Sequence, residues 1–190
     1  IYDKGHFVAA GRLLSYFSAR ARYAELLGGI TYFKFLTEIE KNFETLSDEV
    51  TSRLKRVAHS VFNKNNLTVS VTAEGAHHGV FSENFPRILD SLHEGGVSKG
   101  DYALEDKRRN EGLLTPGKVQ YVAKGYNFKN LGFQYRGSLQ VLRTIASLDY
   151  LWNRIRVQGG AYGSFARFSR DGNMYFCSYR DPHLAETVDV

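Results

Sequence analysis

Between Trp152 and Tyr179 this chain must end a helix, pass a pair of glycines and turn a hairpin, and that succession constrains its fold more than any other stretch. Val141, Ile145, Leu148, Trp152 and Ile155, with Leu142 and Leu151 beside them, recur at helical spacing and predict one apolar stripe on an amphipathic helix. Ser138 is its predicted N-cap. Gly159 or Gly160 can take positive φ without a Cβ clash, close the helix and turn the chain into a strand. Ala161–Ser169 and Asn173–Tyr179 are the predicted strands, with Asp171-Gly172 as a two-residue turn. Arg156 then lies at the helix end and Tyr162 at the strand start. A guanidinium and a phenol are thereby expected to aim at one corner.

Upstream, the first third of the chain reads as helical. His6–Leu27 carries Phe7, Leu13, Leu14, Phe17, Ala21, Ala24 and Leu27 near helical spacing and is expected to end at Gly28-Gly29. A second helix is predicted over Tyr32–Phe43. A third, capped by Ser47, has Val50, Leu54, Val57, Ala58 and Val61 as its stripe. Leu67–Thr72 alternates apolar and hydroxyl residues, the period of a strand with one buried face. A short helix is expected over Ser82–His93 with Pro86 in its first turn, then a polar loop from Gly95 to Gly117, then a strand over Lys118–Tyr126. Helices interspersed with hairpin strands imply an α+β fold: a mixed, largely antiparallel sheet with helices packed on one face. Residues 1–65 read as the helical tail of one domain and 66–190 as the next.

A chain of 190 residues with 43% hydrophobic and 24% charged residues has the composition of an ordinary globular domain. Its net charge of +5 suggests an anionic partner or merely a basic surface, and its dispersal among acidic residues favours the latter. Cys177 is the single cysteine, which excludes an internal disulfide and fits a reducing compartment, cytoplasmic or organellar. No apolar run is long enough to span a bilayer, so no membrane partner is expected. Met174 is the only methionine and the chain begins at Ile1. Asp181 and Pro182 look like the N-cap and first position of a helix about two turns from the end. Both ends are those expected of a fragment.

Several chemistries can be set aside on spacing. His77 and His78 are neighbours, while His59, His93 and His183 stand alone, so no pair has the helical spacing of metal ligands. Gly112 to Lys118 has P-loop spacing, but Val119 stands where a hydroxyl should meet magnesium and a strand follows instead of a helix. Lys124-Gly125-Tyr126-Asn127-Phe128 partly matches an RNA-stacking strand, yet Leu67–Thr72 offers no partner aromatic, and no nucleic-acid partner is expected. No Gly-x-Ser-x-Gly elbow exists, and Cys177 falls inside a predicted strand.

Arg156-Val157-Gln158-Gly159-Gly160-Ala161-Tyr162-Gly163, followed after the hairpin by Ser178-Tyr179-Arg180-Asp181-Pro182, resembles the C-terminal half of presequence-protease-like enzymes, zinc metallopeptidases of the pitrilysin/insulinase group. A looser likeness covers most of the chain, including Gly29 to Leu36. On spacing alone Arg156 is a helix C-terminal cation favoured by the dipole, and Tyr162 a core-edge aromatic. The resemblance implies a further role for both: reaching across a closed chamber to the backbone of an unstructured peptide substrate and supporting the transition state of its hydrolysis. It implies that Gly159, Gly160 and Gly163 let the peptide approach, with the turn itself as the alternative reason for them. It also implies that zinc and the general base belong to an N-terminal catalytic half, since the inverted His-x-x-Glu-His motif is absent here. The isolated fragment is expected to be inactive. The alternatives are a non-catalytic subunit of the same superfamily and an RNA-binding module.

Overall fold

Three short strands form a sheet in the computed structural model, which describes residues 4–96, 100 and 109–190. β1 (Ala123–Asn127), β2 (Gly163–Phe168) and β3 (Asn173–Tyr179) make an antiparallel sheet in the order β1-β3-β2, so the hairpin strand β3 is central. Opposite residues share a face. Ala166 and Phe176 lie on one, Phe165 and Cys177 on the other.

The first face rests on the long helix that precedes the hairpin. α6 (Ser138–Ile145) continues as π-helix over Ala146–Tyr150 and Trp152–Gln158. Leu151 and Ile155 are buried there against Ala161 and Ala166, with Ala146, Phe168 and Phe176 packed around them. This corrects the expected stripe in part: Ile155 and Leu151 are buried as expected, but Val141, Ile145 and Leu148 are exposed and Trp152 is 39% exposed. The winding is the reason: at about 100° per residue Ala146 and Leu151 would point roughly 140° apart. The wider π turn, bonded i to i+5, brings residues five apart onto one side. Ser138 is the first helical residue instead of the cap, which is Gly137.

The second face is covered from the N-terminal end. α1 (Gly5–Leu14) places the His6 ring edge-on to Tyr179 at 4.8 Å and to Phe165 at 6.1 Å. The fold class is the α+β expected, with helices on both faces instead of one. His6–Leu27 is not one helix: Ser15–Ser18 breaks it, and α2 (Ala19–Gly28) starts afresh with the Ser18 hydroxyl accepting from the Ala21 N–H. Breaking the helix there buries Tyr16 and Phe17, which a continuous helix would have spread around its circumference.

Arg12 organises this end. Its guanidinium donates to Glu111 at 2.6 and 3.0 Å and to buried Glu25 at 2.9 Å, and the Tyr16 hydroxyl also donates to Glu111. Those hydrogen bonds, Arg12 first, hold the Glu111 carboxyl down at about 2 and push the Arg12 guanidinium above its usual range.

Contacts divide the chain into two compact units, Ile1–Thr37 with Ala103–Val190, and Glu38–Tyr102. The sheet belongs to the first unit. In the second, α4 (Phe43–Val61) starts after Asn42, so Ser47 lies inside it and caps nothing. Leu54, Val57 and Val61 of its stripe are exposed. Leu67–Thr72 has strand periodicity but no ladder partner among the described residues. Alternation supplies a face; a strand also needs a neighbour for its N–H and C=O groups. α5 (Gly75–Ser91) begins seven residues before the expected Ser82 and carries Pro86 in its interior. α3 (Ile30–Lys41) matches its prediction within two residues at each end. Much of the polar stretch 95–117 lies outside the described residues, and 109–117 carries no regular structure.

Candidate functional site

The corner between the long helix and the hairpin is built by backbone hydrogen bonds. Gly160, at φ +77, closes the helix as its N–H donates to Arg156 O at 3.0 Å, and the Ala161 N–H reaches Ile155 O at 3.1 Å. Gly159 keeps a helical φ of -84, so of the two candidates Gly160 makes the left-handed turn. Two residues later the Tyr162 N–H is shared between Tyr179 O at 3.0 Å and Arg180 O at 3.2 Å. Pro182 lies beside Gly160, 3.5 Å from where a Cβ would stand. The Gly-Gly-Ala-Tyr-Gly and Ser-Tyr-Arg-Asp-Pro segments are therefore adjacent in space.

That junction holds a β-bulge. β1 and β3 pair as Ala123 with Cys177, but further out Gln120 pairs with Asp181, with mutual N–H···O bonds of 2.9 Å. Two residues, Tyr179 and Arg180, thus oppose the single Tyr121. Arg180 has φ +48, a left-handed conformation costing a side-chain-bearing residue roughly 1–2 kcal/mol. Asp181, predicted as an N-cap, is instead wholly buried; one carboxylate oxygen accepts from the His183 N–H at 2.9 Å and the other has no partner among the described residues. The final helix, α7 (Ala185–Asp189), begins only at Ala185. A carboxylate four residues before the helix terminates a turn of its own and cannot reach the helical amides. Arg180 and Asp181 belong to the second motif, but the bulge at Arg180 and the burial of Asp181 had no signal in the sequence.

Arg156 is half-buried, with its guanidinium carbon 3.9 Å from the centre of the Trp152 ring. Among the described residues it has no carboxylate partner and no side-chain hydrogen bond. Tyr162 is 67% exposed, its ring edge-on to Tyr179 at 5.8 Å, and its hydroxyl likewise meets no described partner. It is therefore not a core-edge aromatic. No hydrogen bond or ring contact joins Arg156 to Tyr162; they share the corner through the backbone. Of the three glycines, Gly159 is pinned by packing, since a Cβ would lie 2.6 Å from Ile155 O, and Gly160 by its φ. Gly163 has neither constraint, with nothing within 4 Å of its would-be Cβ.

The hairpin turn differs from the prediction by one residue. Ser169 N donates to Asn173 O at 2.9 Å and Gly172 N to Ser169 O at 3.0 Å, leaving a three-residue loop, Arg170-Asp171-Gly172. Only Gly172 has positive φ, +95, whereas a two-residue type I′ turn would need two such residues. In the fragment weighed for RNA, Phe128 is buried and the Tyr126 ring lies tilted against Phe17 at 5.6 Å, so neither ring is offered as a platform. Among the described residues no three of His, Cys, Asp and Glu converge as a metal site, and no helix is long and apolar enough to cross a membrane.

Residues 110–190 match the family described as the PreP C-terminal domain. Over all of its length the chain is 41% identical to Protein HypA of Clostridium perfringens, covering 19% of that protein. It is 34% identical to presequence protease 1, chloroplastic/mitochondrial, of Arabidopsis thaliana, over 98% of the chain and 17% of the relative. The mitochondrial presequence protease of Saccharomyces cerevisiae is 25% identical over the whole chain, which covers 20% of it. The chain thus spans about a fifth of the length of the curated relatives it matches. The likeness to a presequence-protease C-terminal segment, read from its two motifs, is borne out.

Proposed function

We propose that this chain is the C-terminal part of a zinc endopeptidase that degrades unstructured peptides, supplying substrate-binding residues and half of an enclosing chamber. The observation that carries this reading is the pair of unspent donors at one corner: the Arg156 guanidinium and the Tyr162 hydroxyl, neither engaged by described residues, within the segment that matches the PreP C-terminal domain. A guanidinium fork and a phenol can both donate to a peptide carbonyl, orient it, and stabilise the negative charge that develops on its oxygen during hydrolysis. Gly163 supports the role of close backbone approach, because nothing in its own surroundings demands a glycine. Gly159 and Gly160 also serve the turn.

The donor set described here does not fit a zinc site. Zinc and the general base are assigned to an N-terminal half that would be this chain's main partner, and residues 1–65 to the tail of a domain preceding 66–190. A reducing compartment, cytoplasmic or the matrix of an organelle, suits the buried free thiol of Cys177. The proposal is tested in the full-length polypeptide by Arg156→Ala and Tyr162→Phe. Both are expected to lower turnover of an unstructured peptide by about 100–1,000-fold, the range of a lost charge-stabilising donor, with zinc content unchanged. Wild-type turnover in both variants, or loss of zinc in either, would refute it.

A further inference from the structure

Trp152 is the one tryptophan of the chain, and it does not do what its place in the apolar stripe suggested. It is 39% exposed instead of packed in the core, and its indole face lies under the Arg156 guanidinium at 3.9 Å. The same helical turn buries Leu151 and Ile155, so the residue following each of them is carried to the outer side as a pair. A long, cationic side chain without an ion-pair partner would sample many rotamers, and ordering it at the moment of substrate binding costs free energy. An aromatic face below it removes that freedom without using any of its N–H donors, because the attraction is between the cation and the ring quadrupole. A carboxylate partner would hold it as firmly but would occupy the donors a peptide carbonyl needs.

From this geometry we infer that Trp152 is a positioning residue: its ring holds the Arg156 guanidinium extended and preorganised, with its donors free for substrate. The inference rests on the role proposed for Arg156 and adds the residue through which that role is exercised. Trp152 touches no substrate itself.

A double-mutant cycle in the full-length polypeptide, read as kcat/KM on an unstructured peptide, separates the two ideas. Trp152→Leu should cost between about twofold and thirtyfold, the range of a cation–π contact. Trp152→Phe should recover most of the loss. In an Arg156→Ala background Trp152→Leu should cost nothing further. Equal costs in both backgrounds would overturn the positioning role while leaving Arg156 in place. An Arg156→Ala variant with wild-type kcat/KM would instead overturn the proposed function, and this inference with it. Where Trp152→Leu fails to fold, Trp152→Phe carries the cycle: its smaller cost should likewise vanish in the Arg156→Ala background, and an equal cost in both backgrounds would overturn the pairing.

Discussion

Replacing Glu111 by glutamine should reveal how the N-terminal helices are fastened to the segment that leads into β1. Glu111 accepts two hydrogen bonds from Arg12 and one from Tyr16, and its carboxyl is held at about 2 against an ordinary 4.5. At about 1.36 kcal/mol per pKa unit that gap is on the order of 3 kcal/mol. The side chain is 26% exposed, so solvent screening reduces the working figure to about 2 kcal/mol. Arg12 reports the same interaction from the other side and is not counted again. Because the folded value lies below the unfolded one, this contribution is complete above about pH 4.5 and is lost as pH falls from there through about 2. Urea unfolding of the chain at neutral pH and at several values down to about pH 2.5 measures it. At neutral pH Glu111→Gln should lower the midpoint by about 1 M, taking a urea slope of roughly 2 kcal/mol/M. The gap between variant and wild type should narrow steadily below about pH 4.5. A gap that stays constant with pH would mean that Glu111 contributes by packing alone and would refute the linkage.

Two further outcomes follow from buried groups on either face of the sheet. Ser147→Ala should destabilise the chain by about 1–3 kcal/mol in thermal or urea unfolding, because the N–H of edge-strand residue Ala166, itself 1% exposed, donates to the Ser147 hydroxyl at 2.9 Å and would be left without an acceptor. A loss under about 0.5 kcal/mol would show that another acceptor takes over. Cys177, whose thiol burial pushes up to about 12, should react with a thiol reagent at neutral pH only at the rate of unfolding. Reaction as fast as a free thiol would place it outside the core.

The sequence alone was sufficient for the features that depend on local chemistry. The closing glycine, the hairpin, the α+β class and the two motifs of the corner were legible because a left-handed φ, a tight turn and an alternating strand each demand particular residues at fixed offsets. Periodicity also located α3, and the end of the long helix at Gly159-Gly160. Where local signals had two solutions the tertiary structure decided. Of the expected stripe Val141, Ile145, Leu148, Trp152 and Ile155, with Leu142 and Leu151 beside it, the sheet keeps Ile155 and Leu151 and adds Ala146 through π winding, because their small and branched side chains fit against Ala161 and Ala166. That choice exposes Trp152 and turns it from a core residue into the support of Arg156. Leu67–Thr72 has a strand's alternation without a strand's neighbour among the described residues, and pairing is a property of two segments that one segment cannot encode. The bulge at Tyr179 and Arg180 and the burial of Asp181 likewise arise only when β3 runs on past β1 to meet Gln120, a contact between residues more than fifty positions apart.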